Sequence, residues 1–527
     1  MSQNKIYDSQ PSFAGGLNTT SDPAELGPDQ ARLLTNYRLN DIGGATKRGG
    51  TKITGTLTGA VTGAITYGTC WINATTPDTI VVTDGLGATN WNKAVYTSGT
   101  MGSWSAFTFC TPPTLFTMAA CINASGAEIL VCPRSGSNGI ATIDGSFTTV
   151  NNYAAGSIPL TGVCVYNRRL WAWGNNPTTG SNLYFSDYDN PSSLNDGAAG
   201  GGVIKVRTFS SDGILACAPL ASSLLIFHST AGISRLSGYG QSDITAVPQG
   251  VASDVALIGP RALTTYQGIC YFMTRRGLCI ANEGAVSETA TTEKPDPVVP
   301  ILAADPTNAF STVVLYNRQL REVWVLVPSN GLWVYNTLVK SWSGPFNGPF
   351  TQANAQAHVF EIRDTGRKNA PLVLMSSATA ATVVECDYAT AHLDGIAANG
   401  TGGSAFQTVL QCHRMFGGEG QFMYAKSWRW ANILADLDLV GTTASVTIGG
   451  TSSLVVSSRG AYVVADTGIY WGISDTQTLT SSGNGQTVYY INASGVSPYI
   501  DVTITDAGNT ASTISRVDVW GFLLGQR

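Results

Sequence analysis

The sequence predicts an all-β protein: a β-propeller of about seven blades, or six, with an N-terminal extended arm and a C-terminal antiparallel β-sandwich. Three observations carry that reading. A hairpin-like stretch occurs twice, as Tyr166-Asn167-Arg168-Arg169-Leu170 and again 150 residues later as Tyr316-Asn317-Arg318-Gln319-Leu320. Each follows an apolar run (Val163-Cys164-Val165; Val313-Val314-Leu315) and precedes another rich in Trp, Val and Leu, which reads as strand, tight Asn-containing turn, strand. Short β-rich segments also recur, beginning at Gly87, Gly139, Asn182, Gly232, Gly277, Gly331 and Ala381, at spacings of 52, 43, 50, 45, 54 and 50 residues. Self-similarity at 40–50 residues with strands inside each unit is the pattern of propeller blades. Finally, composition favours sheet over helix and over disorder: charged residues are 12%, Gly is 59 of 527, and the hydrophobic share is 43%.

Taken in order, residues 1–55 read as an arm. Phe13-Ala14-Gly15-Gly16-Leu17-Asn18 is followed by Asp22-Pro23, by Leu26 to Leu39, and by Gly43-Gly44-Ala45-Thr46-Lys47-Arg48-Gly49-Gly50. The glycine pairs permit left-handed turns and close backbone approach. Asp29 to Leu34 is expected to form one or two helical turns capped by Asp29. The arm is expected to pack on a later domain.

Residues 56–391 read as the propeller, with about four strands to a blade. The third blade takes Val163–Tyr166, Leu170–Trp173, Leu183–Ser186 and Val203–Arg207. The sixth takes Thr312–Tyr316, Glu322–Leu326, Gly331–Tyr335 and the region of Trp342. Trp71, Trp91, Trp171, Trp173, Trp324, Trp333 and Trp342 are expected to pack blade against blade, since large rings fill the wedge between twisted sheets. Residues 284–309 break the pattern: Pro295, Pro297 and Pro300 exclude a central strand and imply an inter-blade loop. Residues 392–404, with Asn399-Gly400-Thr401-Gly402-Gly403-Ser404, have linker composition. Residues 405–527 then show strands at short intervals with Gly/Ser/Asn turns, a sandwich pattern. In the run from Ser427 to Leu439, alternation sets Asp436 and Asp438 on one face and Leu437 and Leu439 on the other.

The N-terminal segment resembles a signature of bacteriophage virion proteins: a Phe-x-Gly-Gly-Leu-Asn opening, an acidic-Pro step, an Ala-x-x-Leu-x-Asn-x-x-Leu stretch, and Gly-Gly-Ala-x-x-Lys-Arg-x-Gly. It is similar, over about forty residues, to the tail nozzle (tail tubular, tail hub) proteins of short-tailed phages. The resemblance implies a structural virion protein: a homohexamer docked on the head–tail adaptor (connector), carrying a tail fibre or tail tip, with genome passing through its lumen. It implies no catalytic, cofactor-binding or metal residues, and none is assigned.

Charge agrees with a conduit that does not grip DNA. The formal net charge is −5, from 34 acidic and 29 basic residues, and no Lys/Arg run exceeds two. A basic wall would bind phosphates by releasing counterions, so the lumen is expected to be acidic or neutral. The polar N-terminus lacks the apolar region of a signal peptide. The longest apolar stretch, Ile214 to Phe227, is too short to span a bilayer and is interrupted by Pro219. The expectation is synthesis in the host cytoplasm, no stable membrane insertion, and residence in the virion tail. The ten cysteines form no C-x-x-C pair and read as buried thiols.

Motif chemistry is absent. No G-x-S-x-G, H-E-x-x-H, paired-Cys metal frame or phosphate loop occurs. Ser135-Gly136-Ser137-Asn138-Gly139 has serine at the first glycine position of a nucleophile elbow. His228, His358, His392 and His413 are far apart in sequence. Thr83 to Trp91 approaches an Asp-box turn with the wrong offsets, and occurs once. The expectation is therefore a non-enzyme without cofactor. The alternative is a glycan-binding or glycan-cleaving tail propeller acting on the host surface, which would need an exposed aromatic and two facing carboxylates in one pocket.

Overall fold

Strand accounts for 57% of the protein and helix for 6%, so it is all-β, as composition and alternation predict. The computed structural model describes residues 5–22, 25–57, 67–71, 79–83, 90–97, 100–136, 139–148, 150–153, 159–174, 181–206, 213–238, 249–283, 286–287, 296–352, 358–362, 370–376, 381–388, 392–396, 402–417, 426–437, 443–451, 472–480, 486–497, 499–506 and 511–523.

Seven small antiparallel sheets follow one another along the chain, each an up-and-down meander. Sheet one holds Tyr67–Trp71, Thr79–Thr83, Asn90–Thr97 and Ser105–Thr108. Sheet two runs from Ala119–Ile122 to Val150–Tyr153, sheet three from Gly162–Tyr166 to Gly202–Lys205, and sheet four from Ile214–Pro219 to Gln249–Ala252. Sheet five runs from Leu263–Tyr266 to Val286–Ser287, and sheet six from Val313–Asn317 to Ser341–Phe346. Sheet seven holds Val359–Ile362, Ala370–Ser376 and Ala381–Tyr388, and its fourth strand is Gly50–Thr56 from the other end of the chain. Six of the recurring segments fall on the third strand of a sheet, at Ile140–Asp144, Asn182–Phe185, Ile233–Ser237, Gly277–Ala281, Gly331–Asn336 and Ala381–Tyr388, and of the first the described residues Asn90 and Trp91 lie on the third strand of sheet one, Asn90–Thr97.

First strands neighbour first strands. Ala119–Ile122 lies beside Gly162–Tyr166, which lies beside Ile214–Pro219, and the series continues through Leu263–Tyr266 and Val313–Asn317 to Val359–Ile362. That last strand lies beside Tyr67–Trp71 of sheet one. Sheets one and two share a core around Trp71, Trp91, Leu130 and Ile143, and the Met118 N–H donates to the Tyr67 hydroxyl at 3.2 Å.

Two larger sheets hold the C-terminal strands. One carries Gln486–Ser497, Lys426–Leu437 and Ser512–Leu523 in that order. Lys5–Gln10 pairs with the far side of Ser512–Leu523 from Lys5↔Phe522 to Gln10↔Val517, and Ala45–Lys47 pairs with it at Thr513 and Ile514. The other carries Thr408–Gln411, Asp501–Asp506, Thr443–Thr451 and Gly472–Thr480. It is joined to sheet six through Leu33–Thr35, which pairs with Thr408–Gln411 on one side and meets Gly344 on the other. Trp428, Ala431 and Ile433 of the first sheet and Val502 and Ile504 of the second share one core, which continues through Phe13, Leu34, Tyr37 and Leu39 to Phe227, Phe272 and Trp342.

Three local expectations are corrected. Asp29 to Leu34 is not helical: Gln30–Ala31 pairs in parallel with Gly16–Leu17, and Leu33–Thr35 is the bridging strand just described. Backbone donors there are taken by other strands, the Arg32 N–H donating to the Gln411 carbonyl at 2.9 Å, so tertiary pairing overrides a weak local preference. Within 284–309, Val286–Ser287 completes sheet five, and Val299–Ala304 and Pro306–Phe310 are short helices. Pro300 and Pro306 sit in their first turns, where no backbone donor is needed, and Asp305 caps the second by accepting from the Asn308 N–H at 3.1 Å. Within 392–404, Leu393–Asp394 pairs with Ser404–Ala405, and Ile396 bridges to Lys52. That segment has linker composition but is tied at both ends.

Gly16 shows why the arm needs glycine. Its φ is +72°, and a Cβ there would stand 2.7 Å from Ser341 Cβ and 2.8 Å from the Trp342 carbonyl oxygen. Gly16→Val is expected to cost about 2 kcal/mol or more, read as a lowered urea midpoint; an unchanged midpoint would refute the close approach.

Candidate functional site

Arg48 is the centre of the junction between the seven sheets and the C-terminal strands. Its guanidinium, 1% exposed, forms a two-pronged pair with Asp394 at 2.9 and 2.6 Å. Nε donates to Asn36 Oδ1 at 3.0 Å, Nη1 to the Gly49 carbonyl, and Nη2 to the Asn347 carbonyl. The cation also lies 3.8 Å from the centre of the Phe406 ring. Planarity lets one group do all of this, which an ammonium could not. Asn36 adopts φ +58°, and its amide spans the junction, accepting from the Asn347 N–H at 2.8 Å and donating to the Gln407 carbonyl at 2.7 Å. On either side, Lys47 pairs with Asp506 at 3.4 Å with both side chains fully buried, and Arg38 meets Glu322 of sheet six at 3.3 Å.

A cavity of about 500 Å³ opens among the first strands. Tyr67–Trp71 of sheet one, Leu263–Thr265 of sheet five, Val314–Tyr316 of sheet six and Val359–Glu361 of sheet seven form its wall, with His358 and Arg318 beside them and Ala120 and Leu130 from sheet two. Arg318 pairs with Glu361 at 3.1 Å and lies over Tyr266, which stacks on Tyr316 at 4.2 Å. His358 stacks on Tyr67 at 4.5 Å. Burial and the neighbouring positive Arg261 hold the His358 imidazole well below its ordinary pKa, against an opposing hydrogen bond to the Gly68 backbone. The ring is therefore neutral at neutral pH, and its shielded Nδ1 has no hydrogen-bond partner among the described residues. Arg261 itself is pushed down to about 10 by burial. Among the described residues lining this cavity, Glu361 is the one carboxylate, so it does not carry the facing pair that glycoside hydrolysis uses.

The twin Tyr-Asn-Arg stretches both form hairpins, with different turns. Tyr166 pairs with Arg169 across a two-residue loop in which Asn167 and Arg168 both have positive φ, the twist-matched hairpin turn. Asn317 pairs with Glu322 across four residues, and its Oδ1 accepts from the N–H groups of Gln319 and Leu320. Arg168 is turned outward to Asp189, whereas Arg318 and Tyr316 enter the cavity wall. Nothing in the two nearly identical stretches separates these roles, because the difference lies in the neighbouring sheet.

The seven tryptophans expected between blades are all buried. The four histidines are not brought together: His228 bonds Ser234, His392 the Arg48 carbonyl and His413 Gln10, while His358 lines the cavity. Among the described residues no group of three or more His, Cys, Asp or Glu could hold a metal ion, and no helix is long and apolar enough to cross a membrane. Asp438, Leu439, the Asp436 and Leu437 side chains, residues 84–89 of the Asp-box-like stretch, and Ser137 and Asn138 lie outside the described residues. Of the exposed aromatics among the described residues, Tyr7, Trp430 and Tyr490 sit on the C-terminal sheet, where Tyr7 and Trp430 both approach the Trp520 ring, while Tyr188 and Phe310 lie in segments beside sheets three and six; none lines the cavity.

No family model matches the chain, and no curated protein matches it. Among solved structures it is similar to the computationally designed Ika8 protein, at 10% identity and a TM-score of 0.38, covering 63% of this chain and 98% of that one. It is also similar to the designed Ika4 protein, at 12% identity and a TM-score of 0.23, covering 32% and 91%. Likenesses this weak carry no argument about function.

Two outcomes follow from the burial. Asp394→Ala strands the buried Arg48 cation and is expected to cost about 3–5 kcal/mol in chemical denaturation, while Arg168→Ala on its exposed turn leaves the midpoint nearly unmoved. None of the ten cysteines is in a disulfide, and burial pushes Cys121 up to about 12 and Cys164, Cys217, Cys270 and Cys412 upward too. Thiols with raised folded pKa values contribute stability that is complete below the unfolded value, about 8.5, and is lost as pH rises above it. The urea midpoint should therefore fall between about pH 8 and pH 10, and fall less in a Cys270→Ala variant.

Proposed function

We propose that this chain is a structural virion protein, a tail nozzle subunit of a short-tailed bacteriophage that assembles into a ring-shaped conduit for genome ejection. One observation carries the reading: the signature residues of the N-terminal segment are the ones that join the two halves of the protein. Phe13, Leu17, Ala31, Leu34, Tyr37, Leu39 and Ala45 lie in the shared core, and Asn36, Lys47 and Arg48 make its polar junction. A signature spent on holding a rigid body suits a chain whose work is mechanical. The seven sheets are read as seven blades of one propeller, closed where Gly50–Thr56 supplies the last strand of sheet seven, and the two C-terminal sheets as a sandwich set against it.

On this reading the subunits form a homohexamer that docks on the head–tail adaptor and carries a tail fibre or tip. DNA passes through a lumen that does not bind it, in keeping with the net charge of −5 and the absence of a basic run. The chain performs no catalysis and resides in the virion tail. Native mass spectrometry of the full chain with purified adaptor is expected to show a six-membered ring, and mass spectrometry of purified particles to find the chain in the tail. A strictly monomeric species with adaptor present, or absence from particles, would overturn the proposal.

A further inference from the structure

The C-terminal sheet turns an aromatic face to solvent, and we propose that a second copy of this chain docks there through that copy's acidic surface. The inference rests on the ring assembly proposed above and names the face through which its subunits meet. An antiparallel sheet with one buried face ordinarily shows polar residues on the other. Here Trp428, Ala431 and Ile433 of Lys426–Leu437 fill the core. On the opposite face, register sets Tyr7, Trp520 and Trp430 side by side on three adjacent strands. Tyr7 is 41% exposed and Trp430 39%, each leaning on the Trp520 ring, at 5.4 and 6.3 Å between centres. Two residues along, Asn432 pairs with Tyr490, which is 76% exposed, and beyond it Leu434 pairs with the exposed Val488. Tyr, Trp and Arg dominate the few contacts that carry most of the binding energy in protein interfaces, and a contiguous exposed patch of this kind marks one.

Charge selects the occupant. Lys5, Arg429 and Arg516 are exposed on or beside this face. Against them stands Asp518, which accepts from Arg516 and from the Tyr7 hydroxyl, both at 2.8 Å. Lys5 and Arg429 make no ion pair among the described residues. The chain as a whole carries a formal net charge of −5, so its acidic excess lies away from this face. Two such faces set against each other would share a net charge of the same sign, whereas one face against the acidic remainder of another copy is complementary. A contact between unlike surfaces leaves every copy one of each kind to offer, and it closes into a ring. Extent points the same way. Four strands about 4.8 Å apart and four rows about 7 Å apart make a face of roughly 300–500 Å², below the ~800 Å² per partner of a stable pair. In a ring every subunit is held on two sides, which a lone pair does not provide.

The test is native mass spectrometry of the full chain with purified adaptor, joined to carbodiimide cross-linking of mixed isotope-labelled and unlabelled copies. Trp430→Ala should raise the chain concentration at half-assembly roughly thirtyfold or more, and Arg429→Glu roughly tenfold, while Arg429→Lys keeps the wild-type value. Tyr490→Ala, at a side chain that folding leaves in solvent, should weaken assembly with the thermal midpoint of the unassembled chain unchanged, which separates docking from folding. Cross-links should join Lys5 of one copy to carboxylates of another. Rings that persist undiminished in Trp430→Ala, Arg429→Glu and Tyr490→Ala overturn this inference and leave the ring reading standing, as do Lys5 cross-links to the adaptor and to no second copy. A wild-type chain that stays monomeric with adaptor present overturns both.

Discussion

A guanidinium cannot be put inside a protein without partners for its charge and for its five N–H donors, and the architecture depends on how Arg48 meets that demand. The charge is met by Asp394, from the segment leading out of sheet seven. Donors are met by Asn36, Gly49 and Asn347, and the flat face by Phe406. These partners come from the N-terminal segment, from the end of sheet six, and from both ends of the stretch that leads to the C-terminal strands. Removing one leaves the others facing an uncompensated charge in a place water does not reach. The N-terminal segment, the end of sheet six and the stretch leading from sheet seven to the C-terminal strands are thus tied together by a few atoms that tolerate little displacement.

The same segment closes the structure in sequence terms. Residues 5–47 lie on the C-terminal sheets, and Gly50–Thr56 immediately becomes the outer strand of sheet seven. Two pairings of very long sequence separation, Lys5 with Phe522 and Thr51 with Cys386, are made by stretches fewer than fifty residues apart. Contacts this non-local incur their loop-closure entropy before they return any pairing energy. The buried ion pairs at Lys47 and Arg48, directly between the two pairings, hold both in register. A cavity is left where first strands converge. Its wall is consequently shared by several sheets and owned by none.

Much of the fold was legible in the sequence. Alternation and the recurrence near fifty residues place the third strands, since a strand with a buried face must repeat every second residue and a repeated unit must repeat its turn chemistry. The strands of sheets three and six fall within a residue or two of where apolar runs and turns put them. The arm was legible as glycine-rich and extended, and the tryptophans as core. Asp29 to Leu34 and the 392–404 segment have no strong local preference, and their described residues are held by pairing with other segments, near (Gly16–Leu17; Ser404–Ala405) and far (Gln411; Arg48 and Lys52).

The candidate site was far less legible. His358 and Glu361 carry no motif, and Tyr316 and Arg318 sit in a stretch almost identical to Tyr166 to Arg169, which lines no such cavity. The sequence by itself determined the all-β class, the recurrence of strands near every fifty residues, and the lack of any familiar catalytic pattern, because those follow from periodicity and residue type. Only the tertiary structure decided that Gly50–Thr56 joins sheet seven, that Arg48 faces Asp394, and that one of two matching hairpins meets Glu361. Those outcomes depend on which strands become neighbours, and neighbourhood is a property of the packed chain that no local stretch encodes.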